Sequence, residues 1–256
     1  MKSHSPAGTP TYAIVGATGG IGSELCRTLA ACGANLFLGA RDESRLEDLV
    51  LELRRDHRVN AHAFPLDATN SEEVDLFFAK AATTFGSIQG ATNLVGSILL
   101  KPAHQTNDFE FNETLLLNLN TAFYVLRAAA KAMMATGGSI VLASSVASKI
   151  GLVNHEAIAA AKGGINGLVL SAAASYAGKG IRVNAVAPAL VRTPLAAKIT
   201  ANELALKAST AMHPLGRIGE PADVATAIAW LLDPATTWVT GQILSLDGGM
   251  SSVKTK

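Results

Sequence analysis

The stretch VGATGGIG (Val15–Gly22) carries residue types that can hold a phosphate. Gly16, Gly20 and Gly22 permit a tight turn, close approach of backbone to a pyrophosphate, and close packing of the next helix; Thr18 and Ile21 complete the loop. A helix opening here offers free N–H groups and partial positive charge to an anion. The plainer alternative is a tight turn with no ligand. Where the second strand ends, a carboxylate would hold an adenosine ribose and repel a 2′-phosphate. Here the chain reads GARD, with Ala40 in that place and Arg41 after it. This favours NADP(H), with NAD as the alternative, because Arg41 could instead pair with Asp42 or Glu43. Asp67, closing PLDAT, could accept a hydrogen bond from an adenine amine or cap the following helix. Farther on, His155, Ile158 and Lys162 share one helix face by their spacing. An imidazole there suits proton transfer near neutrality.

These groups need a frame, and the pattern supplies one. TYAIVGA, NLFLGA, AHAFPLD, GATNLVG, SIVLASS, IRVNAVAP and QILSLDGG read as strands. Between them run helical stretches: GGIGSELCRTLAACG closed by Gly33, an amphipathic helix with Leu46, Leu49, Val50 and Leu53 on one face, and a third with Ser71 as N-cap. Residues 109–136 and 154–179 read as two long helices, and PADVATAIAWLLD as a last one. Strands alternating with helices of this length predict an α/β protein: a single-domain Rossmann fold, a doubly wound parallel sheet of about seven strands with helices on both faces. Residues 1–10 read as a loose tail and 11–256 as one domain.

Composition narrows the function classes. Formal net charge is +1, with no basic block, so nucleic acid is not an expected partner. Cys26 and Cys32 fall on different faces of one helix, which argues against a disulfide. The amino terminus lacks the apolar core of a signal peptide, and no run of about 18 uncharged apolar residues occurs, so no membrane span is expected. A cytoplasmic location and no metal are the remaining expectations.

From about Thr11 to Met250 the chain resembles the short-chain dehydrogenase/reductase family. The glycine motif matches at Gly16, Gly20, Ile21 and Gly22, with Val15 in place of a threonine. NLVG keeps Asn93 and Gly96 of the family's Asn-Asn-Ala-Gly motif. Asn118 in LNLNTAF, Ser145 in ASSVAS and Lys162 match the catalytic asparagine, serine and lysine. VNAVAPALVRTPL resembles the loop that holds nicotinamide, with Pro188, Val191 and Thr193 in its contact positions and Ala189 in place of a glycine. The resemblance implies that Ser145 polarises a carbonyl, Lys162 binds the ribose, and Asn118 holds a water linking the lysine to solvent. It also implies a proton-exchanging tyrosine four residues before Lys162, where this chain has Ile158.

Ile158 cannot exchange a proton. None of the three tyrosines replaces it: Tyr176 lies ~27 Å farther along the same helix, Tyr12 begins the first strand at the sheet edge opposite the cofactor, and Tyr124 is on a different side of its helix from Asn118. His155 could act as general acid, line the substrate pocket, or only start the helix; Lys149 or a water held by Ser145 and Lys162 are further candidates. Two functions follow as expectations. One is NADP(H)-preferring hydride transfer between nicotinamide and a small carbonyl or alcohol, with an atypical proton donor. The other is an inactive NADP(H)-binding regulatory or assembly protein. A third, a lyase or isomerase on the same scaffold, stays open because a fold does not fix its chemistry. The small-residue helix around Lys162 allows close helix pairing, and the resemblance implies a homotetramer or homodimer.

Overall fold

The computed structural model describes residues 8–254; residues 1–7 of the expected tail lie outside them. Seven strands form one sheet: β1 (Thr11–Val15), β2 (Asn35–Ala40), β3 (Ala61–Pro65), β4 (Gly90–Asn93), β5 (Gly138–Ala143), β6 (Ile181–Pro188) and β7 (Ile243–Leu246). Their order is β3-β2-β1-β4-β5-β6-β7, and every pairing is parallel. The order reverses between β1 and β4, the place where a doubly wound sheet opens a crevice at its carboxyl edge.

Alternating strand residues feed two cores. On one face α1 (Gly20–Ala31), α2 (Glu43–His57) and α9 (Pro221–Leu232) cover Tyr12, Ile14 and Val141 with Leu25, Leu46 and Ile228. On the other, α3 (Ser71–Phe85), α5 (Thr121–Met133) and α6 (Glu156–Tyr176) cover Ala13, Val15, Ile140 and Leu142 with Phe77, Val125, Met133 and Val169. Between α3 and α5 comes α4 (Asp108–Leu115); α7 (Ala197–Thr200) and α8 (Glu203–Ala211) follow β6 and have no fully buried residue. The expected apolar face of α2 is buried as Leu46, Leu49, Val50 and Leu53. Gly33 closes α1 at φ +79, its N–H donating to Ala30 O. Both cysteines are free, Cys26 buried and Cys32 exposed.

Three boundaries differ from the sequence expectations. Asn70, not Ser71, caps α3: its side chain accepts from Glu72 N at 3.0 Å, because Asn70 is still extended while Ser71 already belongs to the helix. The stretch expected as one helix, 109–136, begins at Asp108 and is broken by a π turn at Leu116–Asn120 before α5. The second long helix begins at Glu156 rather than Asn154, since Asn154 takes a left-handed φ of +63 that a right-handed helix does not admit. It ends in a tighter turn, Ala177–Lys179. By length and composition Glu156–Lys179 is the one helix among the described residues apolar enough to cross a membrane. In this fold it lies on the sheet, with Ile165 and Val169 in the core and Lys162 buried among them.

Phe77 anchors an aromatic cluster, 5.0 Å from Phe37 and 5.1 Å from Phe78 by ring centroids. Phe77→Ala leaves a cavity beneath β2 and lowers unfolding free energy by about 3–5 kcal/mol, read from chemical denaturation midpoints.

Candidate active site

The crevice begins at the turn after β1. Gly16 N and Ala17 N both donate to Gly39 O, at 2.8 and 3.1 Å, folding the loop back over β2. Gly16 sits at φ +85, and a Cβ on Gly22 would collide with the Gly16 carbonyl, so only glycine lets α1 start this close to the turn. A Cβ on Gly20 would come 2.9 Å from Thr193 Cγ2, which places the loop after β6 directly over the start of α1. No side chain caps α1, whereas Asp42 caps α2 and Asn70 caps α3. Its first N–H groups are left to a ligand, and an anion there also meets the positive end of the helix dipole.

Around this turn the cofactor candidates differ in what already engages them. Arg41 is exposed at the end of β2 and forms no ion pair with Asp42 or Glu43 among the described residues. Asp67 has one carboxylate oxygen taken by Thr69 N and Oγ1, at 2.9 and 2.8 Å; it shapes the turn before α3 and does not cap that helix. Asn93 is buried, donating to Thr121 Oγ1 at 3.0 Å and accepting from Val95 N at 3.2 Å, so it ties the end of β4 to α5. These residues fit a dinucleotide: close-packed glycines on one side, uncapped N–H groups on another, and a guanidinium without an ion pair among the described residues at the end of β2.

The crevice continues as a cleft of about 170 Å³ at the carboxyl ends of β4, β5 and β6, lined among others by Gly96, Asn118, Ser145, Ile158, Lys162 and Val191. Lys162 is 7% exposed, and its Nζ donates to Ala143 O at 2.7 Å. Burial pushes its ammonium down from the ordinary value to about 8. Neighbouring Ser144 holds the helix in place, donating to Asn166 Oδ1 at 2.7 Å and to Lys162 O at 3.2 Å. Ser145 turns the other way, toward Pro188 O at 3.4 Å, and accepts from Ala147 N at 3.2 Å. Asn118 lies in the π turn; its amide donates to Thr114 O and Ser97 Oγ at 2.9 and 3.0 Å, and its oxygen accepts from Ser97 N at 3.2 Å. Gly96 runs beside it, where a Cβ would come 2.8 Å from Asn118 Oδ1 and 3.6 Å from Lys162 Nζ. Pro188 and Thr193 complete the far wall.

Ile158, 5% exposed, faces the cleft one helical turn before Lys162. His155 does not line it: this residue sits just before α6 with Nδ1 2.7 Å from Val153 O. Lys149 also points elsewhere, its Nζ bonded to Ile243 O and Ser245 Oγ at 3.0 and 2.8 Å. Tyr12 is buried at the opposite edge of the sheet, where burial pushes its phenol up to about 12.

Comparison with known proteins agrees with this geometry. A family model described as enoyl-(acyl carrier protein) reductase matches residues 16–251. A short-chain dehydrogenase/reductase of Botryotinia fuckeliana is 35% identical, over 96% of this chain and 98% of its own. The chain belongs to the short-chain dehydrogenase/reductase family. Galactitol 2-dehydrogenase (L-tagatose-forming) of Cereibacter sphaeroides is likewise 35% identical, over 93% of each chain. The solved structure of ElxO with NADP bound superposes with a TM-score of 0.89 at 27% identity, covering 96% of this chain and 100% of that one.

Within this short-chain dehydrogenase/reductase, two contributors escaped the sequence reading. Arg45, in the first turn of α2, donates to Thr18 O at 2.8 Å and so holds the glycine turn from outside. Ser97 closes the Asn118 hydrogen bonds, and only its place one residue after Gly96 hinted at that. Replacing Gly22 with alanine should push α1 off the turn. We expect NADPH binding to weaken by at least roughly tenfold, measured by quenching of protein fluorescence, an effect of more than 1.4 kcal/mol.

Lys162 also makes a pH-dependent contribution to stability. Its folded pKa lies below its unfolded value of 10.5. Between about pH 8 and 10.5 the unfolded chain therefore binds a proton that the folded chain has released, and stability rises with pH across that window. Below pH 8 the cost of burying the charge is present in full. Wild type should gain on the order of 2 kcal/mol relative to Lys162→Met between pH 8 and pH 10, by denaturant titration at each pH.

Proposed function

We propose that this protein is an NADP(H)-preferring oxidoreductase that moves hydride between nicotinamide and a small carbonyl or alcohol, with a proton donor other than tyrosine. The observation that carries this reading is the convergence of Ser145, Lys162 and Asn118 on one cleft, continuous with the uncapped start of α1. When bound there, NADPH would supply the hydride. The chain's own residues supply the rest. Ser145 presents a hydroxyl to the substrate oxygen, and Lys162 offers its free N–H groups to ribose or to a water. Asn118 anchors the segment from Gly96 to Ser97 against the π turn. Arg41 gives the 2′-phosphate a cation not already neutralised, and the NADP-bound relative supports that preference. A relative that acts on a sugar alcohol supports a small hydroxyl or carbonyl substrate.

Homo-oligomers belong to the same reading. The helices α4, α5 and α6 expose Phe109, Phe123 and Leu170, apolar groups suited to cover one another between copies.

The specific observation favouring the second reading, an inactive NADP(H)-binding protein, is the apolar Ile158 in the wall of the cleft. NADPH and NADH oxidation against a panel of small ketones and aldehydes separates the two. The expected result is substrate-dependent NADPH oxidation by wild type, with Arg41→Ala raising the KM for NADPH at least about fivefold and leaving that for NADH within twofold, a difference of about 1 kcal/mol. NADPH binding without turnover on any carbonyl would establish the inactive protein instead.

A further inference from the structure

If this cleft reduces a carbonyl, as just proposed, the new alkoxide must take a proton from some atom within reach. An unprotonated alkoxide in so apolar a place is costly. The hydroxyls of the cleft are poor acids: Ser144, Ser145 and Thr193 already donate to Asn166 Oδ1, Pro188 O and Val191 O, and Ser97 Oγ accepts from Asn118 Nδ2. His155 and Lys149 are bonded elsewhere. Lys162 is the one ordinarily titratable side chain among the residues lining the cleft. One of its N–H groups holds Ala143 O, and no other partner occupies Nζ among the described residues. Gly96 leaves the space beside Nζ free of side chain.

We propose that Lys162 Nζ is itself the general acid, giving its proton directly to the substrate oxygen across the space that Ile158 leaves without a hydroxyl. As the substrate carbon gains hydride, the C=O electron pair moves onto oxygen. An O–H bond forms there while an Nζ–H bond breaks, and Lys162 is left as a neutral amine. A proton from solvent restores the ammonium before the next turnover. The amine suits its surroundings better than the ammonium does, since burial is what lowers its affinity for the proton. No charged side chain of α4, α5, β5, β6 or the turn bearing Lys149 contributes to that shift; burial alone produces it.

The test combines three measurements. Steady-state NADPH oxidation with a reducible ketone at saturating NADPH, from pH 6 to 10, should show kcat/KM for the ketone falling tenfold per pH unit above a midpoint well below the ordinary 10.5. NMR titration of NADPH-bound protein carrying 13C-lysine should place the Lys162 Cε midpoint at the same pH, assigned by its loss in Lys162→Arg. Lys162→Arg keeps a cation and N–H donors but cannot release a proton. At saturating NADPH it should lose roughly 10²–10⁴-fold in kcat. Retained turnover in Lys162→Arg, a kcat/KM for the ketone flat from pH 7 to 9.5, or an NMR midpoint near the ordinary 10.5 would each overturn the proposal while leaving the oxidoreductase reading intact. Should Lys162→Arg fail to fold, the wild-type comparison decides: matching kinetic and NMR midpoints support direct transfer, and separate ones overturn it. Absence of any turnover by wild type, with NADPH bound, would instead remove the oxidoreductase reading and this inference with it.

Discussion

A buried ammonium held by a single carbonyl is the constraint around which this cleft is organised. Lys162 Nζ rests on Ala143 O at the very end of β5, out of bulk water, and among the described residues no opposite charge shifts its titration. Such a group is tolerated only where the backbone brings it a fixed acceptor. That requirement fixes α6 against the sheet. Ser144 stitches the strand end to the helix through Lys162 O and Asn166. At Gly164 the helix comes so close to the π turn that a Cβ would sit 2.9 Å from Leu119 Cδ1. The charge, the strand end and the helix therefore form one unit, and the apolar wall at Ile158 is part of it.

The remaining half of the crevice uses a different physical device. No residue from Gly16 to Gly22 carries a side-chain charge; backbone N–H groups and a helix dipole face the crevice, Arg45 holds Thr18 O from outside, and glycine is required because carbonyl oxygens crowd the turn. The reversal of strand order between β1 and β4 sets the two halves side by side, with Asn93 and Gly96 at the seam. Thr193, reaching from the loop after β6 onto Gly20, joins them from above. A molecule long enough to lie along both would meet fixed dipoles at one end and the lysine at the other.

Much of this was legible in the residues alone, for identifiable reasons. Parallel buried strands announce themselves as short apolar runs, and all seven segments read as strands do form the sheet. The apolar face of α2 followed from 3.6-residue periodicity. What escaped was whatever depends on a single backbone dihedral or on approach across the fold. The run DATNS contains several residues able to cap a helix, and periodicity cannot say that Asn70 does it while Ser71 is inside. Nothing in NHEA announces the left-handed Asn154 that keeps His155 out of the helix. Helix spacing aligned His155 with Lys162, yet spacing is silent on the carbonyl of Val153 that takes up the imidazole. The reach of Arg45 to Thr18 spans 27 residues of chain and belongs to tertiary structure alone.

The π turn at Leu116–Asn120 has a consequence for how this chain can change over evolutionary time. One residue more or less in a helix turns everything beyond it by about 100°. The wide turn absorbs one extra residue where Asn118 can bind the freed backbone, and α5 then presents Val125, Ala129 and Met133 to the sheet. Losing a single codon here would swing Phe123 and Arg127 toward the core and withdraw those three from it. A substitution on the outer side of this helix leaves Val125, Ala129 and Met133 on the sheet, whereas a change in its length does not.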